Sequence, residues 1–395
     1  MRKAWIAVAA AAGLFALLLG ALAFMRQQLH VNGLVVLGWD SKRNAILVLH
    51  RPQLALDGPY VFRERTGFRV VDTRRTGMQW HVREARLPAH PLPVVTVRVD
   101  NPARTRFGVA LRPPAMPAPA MVAANPSRLL MLSDLEGEFD RFVALLQAQG
   151  VIDRDLHWRY GDGHLALVGD LVDRGQNVVP LLWLVYRLEH EAVQAGGRVH
   201  YVLGNHELML LAGDGDSWPD RMIATAHALG SDGGKQLFSP TSVLGQWLRS
   251  KPVVARVGDH LLAHGGISRD FLDAGLSITA ANAIARPYLA TRRVFMPARV
   301  QRVLGRTGVT RYRGLALADQ RVEGDVVAHL QRVARRYGTR RVVIGHTIAA
   351  NVGLEQDGLL LRLDVRHARQ VPQAALYEGG RLWRVDARGS RLALD

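Results

Sequence analysis

The sequence predicts an α/β domain whose strands end on one shared polar rim. Short apolar runs at 129–132, 165–168, 199–203, 261–263 and 342–344 read as buried strands. Helix-like stretches at 139–149, 178–194 and 326–337 fall between several of them. Each apolar run closes on a polar motif: Ser133-Asp134-Leu135-Glu136-Gly137, Gly169-Asp170-Leu171-Val172-Asp173-Arg174-Gly175, Gly204-Asn205-His206-Glu207, His264-Gly265-Gly266 and Gly345-His346-Thr347. In open α/β sheets ligands bind beyond the carboxyl ends of the strands, so all five motifs are expected along one edge. Their glycines let the backbone turn sharply and leave little bulk between closely spaced groups.

The chain before this domain divides into three parts. Arg2 and Lys3 precede an uncharged, nearly all-apolar run at 5–24, closed by Arg26. About 20 apolar helical residues span a ~30 Å hydrocarbon core, so residues 1–26 are expected to be a signal anchor or a signal peptide. Ala21-Leu22-Ala23 resembles a cleavage site, whereas the length of the run favours an uncleaved transmembrane anchor. Basic residues at the extreme N-terminus keep that end in the cytoplasm, which places the rest at a bacterial inner membrane with its catalytic domain periplasmic. The alternative is a secreted or periplasmic protein after cleavage.

Residues 30–111 are expected to form a small β-rich domain. Strand-like runs at 34–37, 45–49, 68–71, 79–82 and 94–99 are separated by turn signals such as Asp57-Gly58-Pro59, without a helical period. The Pro- and Ala-rich stretch 112–126 reads as a linker, and 127–395 as the α/β domain.

Composition narrows the chemistry. The 395 residues include no Cys, which excludes disulfides, thiolate-ligated metals and Cys nucleophiles. Net charge is +17, yet Lys3, Lys42, Lys235 and Lys251 are the only lysines among 51 basic residues. An Arg bias of this kind fits a GC-rich coding sequence as well as attraction to anionic headgroups or phosphorylated substrates. The basic residues are spread along the chain without an aromatic-interleaved strip, so no nucleic-acid partner is expected.

Asp, Glu, Asn and His donors suit divalent Mn, Fe or Zn. Two such ions roughly 3.5–4 Å apart lower the pKa of a shared water towards about 7 and clamp the attacking and leaving oxygens of an in-line displacement. Taken singly, His-Gly-Gly or Gly-His-Thr says little, since a strand-terminal His is commonly a hydrogen-bonded structural residue. The ordered set of five is what points to a dinuclear site.

That set resembles the calcineurin-like metallophosphoesterases. The Gly169–Gly175 motif followed by Gly-Asn-His-Glu resembles their phosphoprotein-phosphatase branch, nearest its bacterial Shewanella-like serine/threonine or tyrosine phosphatases, over about 127–385. The resemblance implies a β-sandwich flanked by helices in α/β/β/α layers, here preceded by the membrane helix and the β-rich domain. It implies that Asp134, Glu136 and Asp170 bind a first metal, and that Asp170, Asn205, His264 and His346 bind a second, with Asp170 bridging. His206, oriented by Asp173, would protonate the leaving oxygen, and Arg174 would grip the phosphoryl group. Tyr312-Arg313-Gly314 resembles a segment that supplies a second arginine, making Arg313 the candidate. Most relatives carry Asp-x-His in the first motif, where this chain has Glu136; the carboxylate hardens that site and favours Mn.

Other polar residues receive plainer readings. Glu138, Asp140 and Glu207 are expected to cap helices. Asp364 either orients a ligand His or ends a hairpin, His367 is read as surface, and His227 and His260 as ordinary. Arg292, Arg293, Arg299, Arg302 and Arg306 form a basic series, mostly a solvated face, with one or two free to meet a remote charge of the substrate.

The functional expectation is a dinuclear metal-dependent phosphoesterase in which a metal-bridging hydroxide attacks a phosphomonoester of a protein or small molecule, the protein-phosphatase branch suggesting phosphorylated Ser, Thr or Tyr. The alternative is a nucleotide, polyphosphate or lipid-linked phosphate hydrolase. An open groove favours protein and a roofed basic pocket favours small substrates. A third reading, resting on Glu136, is a catalytically weak module that binds an envelope partner.

Overall fold

A computed structural model describes residues 29–31, 35–40, 45–50 and 56–394, apart from 77–78, 115–116, 118, 231 and 320–322. Leu29–Val31, Val35–Asp40 and Ala45–His50 pair into an antiparallel three-stranded sheet, which belongs to a unit of its own. The second unit comprises Leu56–Arg74 and Trp80–Asp395.

Two six-stranded mixed sheets organise the second unit. In one, Arg198–Val202, His164–Val168 and Arg128–Leu132 run parallel, and Gln373–Glu378 continues antiparallel into Arg381–Asp386 and Arg391–Ala393. In the other, His260–Leu262, Arg341–Ile344 and Leu360–Arg362 run parallel. Alternation along these strands sorts their side chains into two cores. Leu129, Met131, Ala166, Val168, Leu262 and Val343 pack in an apolar layer that joins both sheets. Leu130, Leu132, Leu165, Leu167, Leu261 and Ile344 face a second core shared with the helices. Strands buried on both faces read as unbroken apolar runs, which is why they stand out in the sequence.

Parallel neighbours end together. The motifs after Leu132, Val168 and Val202 leave one edge of the first sheet, and those after Leu262 and Ile344 leave the second. A parallel pair needs a long crossover, here filled between the first sheet's strands by the helices Phe139–Ala148 and Val178–Gln194. The second of these is buried along most of its length because the first sheet and the strand Leu56–Glu64 both pack on it. Its Trp183 Nε1–H donates to the Pro59 carbonyl at 2.8 Å.

The expected N-terminal membrane helix is corrected. Residues 5–24 lie outside the described residues, and among the described residues no helix is long and apolar enough to cross a membrane. Val178–Gln194, with 17 residues, reaches only about 26 Å against the ~30 Å a bilayer core demands, and its apolar faces serve the protein core. The membrane as a partner and the inner-membrane, periplasmic or secreted placement of the catalytic domain rested on that helix and are withdrawn with it. What the chain shows is an α/β fold of mixed sheets and flanking helices.

Candidate metal centre

Tight turns bring the motifs together. Asp134, Glu136, Asp170, Asp173, Arg174 and His346 all hold positive φ, between 47° and 78°. Such left-handed conformations cost energy for non-glycine residues and cluster where side chains must be aimed. Space is equally constrained at Gly204 and Gly345, where a Cβ would collide with Asp170 Oδ1 and Asp134 Oδ2 respectively.

Asp170, His264 and His346 place one ligand atom each within 4.8 Å of the others. His264 Nδ1–H donates to the Val168 carbonyl at 2.8 Å, so Nε2 faces Asp170 Oδ2 at 2.9 Å. A backbone partner on one imidazole nitrogen fixes the tautomer and leaves the other as ligand. His346 sits with its ring 5.0 Å from that of His264, donates Nε2–H to the Arg311 carbonyl at 3.0 Å, and so keeps Nδ1 as the lone pair. Asn205 Oδ1 is buried without a hydrogen-bond partner among the described residues, an orphaned hard oxygen. Asp134 is buried beside this triad and accepts the His346 backbone N–H at 3.1 Å.

The electrostatics fit a cation. Burial, then Asp364 and Asp170, pushes the Asp134 carboxyl well up, and burial lifts Asp364 to about 6. Burial opposes charge on His264, yet Asp170 and Asp134 raise it to about 10, while burial and His264 hold His346 near 3. Buried carboxylates crowded around imidazoles carry negative charge that a divalent ion neutralises, and the oxygen and nitrogen donors are those of Mn, Fe or Zn. The chain thus has the capacity to bind metal at Asp170, His264 and His346.

Beside the triad, His206 Nδ1 is hydrogen-bonded to Asp173 Oδ2, its backbone N–H donates to Asp170 Oδ1 at 2.8 Å, and its Nε2 lies 3.7 Å from Asp170 Oδ2. Burial pulls the imidazole down, but Asp170 and Asp173 win and raise it above its usual value. The Glu136 carboxylate is ion-paired to Arg174. Arg313 is exposed and donates to the His346 carbonyl at 2.7 Å.

Three features went unread in the sequence. Glu207 does close its helix as a cap, but it is fully buried and its carboxylate also accepts the N–H groups of Asp170 and Leu171 and the Tyr201 hydroxyl. His367 is buried rather than at the surface, donating Nε2–H to the Ser133 carbonyl at 3.0 Å just before Asp134. Arg311 joins the centre to a neighbouring cavity of about 350 Å³, which Arg292, Arg293, Met209 and Leu208 also line. A three-residue offset to an acidic motif and a lone Arg beside Tyr312 carry no distinctive pattern, so only the fold reveals them.

Comparison with known proteins agrees with this geometry. Residues 127–349, more than half the chain, match the family model described as calcineurin-like phosphoesterase. Shewanella-like protein phosphatase 2 of Arabidopsis thaliana is 35% identical over 90 residues, 23% of each chain. A symmetrical bis(5'-nucleosyl)-tetraphosphatase of Neisseria meningitidis is 32% identical over 137 residues, 34% of this chain and 42% of that one. The chain therefore matches less than half the length of either curated relative. The solved cold-active protein-tyrosine phosphatase of a psychrophilic Shewanella superposes with a TM-score of 0.74 at 26% identity, over 86% of this chain and 99% of that one. With a candidate metal-binding triad at the strand ends and the family pattern across it, the chain belongs to the calcineurin-like phosphoesterases, metal-dependent hydrolases of the metallophosphoesterase type.

Proposed function

We propose that the protein hydrolyses phosphate esters of small molecules of the nucleotide or polyphosphate class at a centre of two divalent ions. The observation that carries the hydrolytic reading is the convergence of the Asp170–His264–His346 triad with the His206–Asp173 pair. Asp170, Asn205, His264 and His346 would hold one ion, and Asp134 with Asp170 the other, Mn suiting the carboxylate-rich side. Bound there, the ions supply Lewis-acid polarisation of the phosphoryl oxygens and an acidified water.

The remaining chemistry belongs to the side chains. Asp173 accepts His206 Nδ1–H and favours the imidazolium, whose Nε2 proton passes to the leaving oxygen as its bond to phosphorus breaks, while a water oxygen bonds to phosphorus from the opposite side and gives up its proton to solvent. Arg174, mostly solvent-facing, turns its planar fork to the phosphoryl oxygens, and Glu136 holds it in place between turnovers. Arg313, anchored on the His346 carbonyl, stands on the same rim as a second phosphate contact.

The small-substrate reading is supported by the tetraphosphatase relatives and by the basic cavity beside Arg311. A phosphoprotein substrate is the second reading, favoured by the extent of the likeness to the cold-active tyrosine phosphatase. Turnover of a dinucleoside tetraphosphate, a nucleoside triphosphate and a phosphotyrosyl peptide by Mn-loaded protein separates them. Preference for the nucleotides supports the proposal; a kcat/KM dominated by the peptide overturns it in favour of the second reading.

A further inference from the structure

The cavity beside the metal centre collects three guanidinium groups, those of Arg292, Arg293 and Arg311, against a single carboxylate, Asp214. Among the described residues none of the three makes a side-chain hydrogen bond or ion pair. Several arginines elsewhere are tied down: Arg221 to Asp100, Arg63 to Gln246, and Arg249 to the Phe238 and Gly245 carbonyls. Asp214 offsets one of the three positive charges, and the remaining like charges repel one another unless a further anion sits among them.

Arg311 links this cavity to the reacting centre. Its carbonyl accepts from His346 Nε2, and its half-buried guanidinium lies within electrostatic reach of Asp170, Arg293 and Asp214. Leu208, two residues beyond His206 on the same helix, forms part of the wall. All five arginines of the basic series are exposed, but Arg299, Arg302 and Arg306 take no part in the lining. Position in the fold, rather than basic character, singles out Arg292 and Arg293.

We propose that this cavity is a subsite for a second, non-reacting phosphoryl group of the substrate, held by Arg292, Arg293 and Arg311 while the first lies at the metal centre. The proposal rests on the phosphoester-hydrolase reading above and narrows its substrate to molecules carrying linked phosphoryl groups. A guanidinium offers paired donors to phosphate oxygens, and the volume of about 350 Å³ falls within the range of small-ligand pockets.

The test compares ATP and inorganic tripolyphosphate with an aryl monophosphate, using the full-length Mn-loaded protein, the double variant Arg292→Gln/Arg293→Gln, and Arg299→Gln as a surface control. The ratio of kcat/KM for the linked phosphates to that for the aryl phosphate should fall by about tenfold or more in the double variant, mainly through KM, and stay unchanged in Arg299→Gln. An unchanged ratio in the double variant overturns the subsite. Calorimetric binding of methylenediphosphonate against methylphosphonate gives a readout independent of turnover: the wild type should prefer the diphosphonate by about tenfold and the double variant should lose that preference. Equal binding of the two by the wild type overturns the proposal. Absence of all phosphate-ester turnover with every metal would instead strike the functional reading, with the titration still deciding whether the subsite exists.

Discussion

Glu207 Oε2 accepts the backbone N–H of Asp170 at 2.9 Å, so the residue at the heart of the metal centre is aimed by a carboxylate from the neighbouring strand's helix. The same side chain accepts from Leu171 at 2.8 Å, Gly204 at 2.7 Å and the Tyr201 hydroxyl at 2.9 Å. One buried group therefore ties two motif loops together.

Glu207→Ala strands those donors in a dry interior. An unsatisfied buried donor costs ~1–3 kcal/mol, so the variant should lose roughly 3 kcal/mol or more of stability, read by denaturant unfolding. Metal affinity should fall by about 10–100-fold through misplacement of Asp170, read by metal titration of the folded fraction. Wild-type affinity in a folded Glu207→Ala protein would refute this positioning role.

Asp173→Asn should lower kcat by about 10²–10⁴-fold with little change in KM, because it removes the negative charge that favours the charged form of His206 and lets an amide NH2 compete for the orienting contact. The protonated imidazole is the active form, so activity is present below the raised His206 pKa and lost as pH climbs through it. The alkaline limb of kcat/KM is expected above 6.5 in the wild type and nearer to it in Asp173→Asn. A pH–rate profile of both proteins with an aryl phosphate checks the shift.

The opposite end of the sheet carries a separate pH dependence. His200 Nε2 meets His164 Nδ1 at 3.0 Å, and burial, with His164 beside it, drops His200 to about 3. An unfolded chain protonates this imidazole below 6.5 while the folded one does not until about 3, so stability is lost as pH falls through that window. At about pH 5 the loss from this site is on the order of 2 kcal/mol. His200→Gln should flatten the fall in Tm between about pH 7 and pH 5, and an unaltered slope would count against it.

The motifs were legible because their chemistry requires small residues next to ligands. Gly169-Asp170 and Gly204-Asn205 announce turns where side-chain bulk would collide, and the buried strands before them are apolar on both faces. Glu207 reads as an ordinary helix cap because it is one; nothing local reveals that its second oxygen reaches the adjacent strand's loop. His367 and Arg311 depend on contacts across 234 and 35 residues of chain, beyond any periodic signal. The Glu136–Arg174 ion pair is equally hidden in the sequence, because the turn following His164–Val168 is what brings that guanidinium to the carboxylate.

The central claim is that Asp170, His264 and His346 hold a divalent ion on which phosphoester hydrolysis depends. The most direct test is hydrolysis of an aryl phosphate after chelation and after re-addition of Mn, Fe, Zn or Mg, with metal content measured in parallel for the wild type and Asp170→Asn. The account predicts activity that disappears on chelation, returns with a divalent metal, and is lost together with bound metal in Asp170→Asn. Activity that survives complete metal removal, or an Asp170→Asn protein that hydrolyses the ester as fast as wild type, would contradict it.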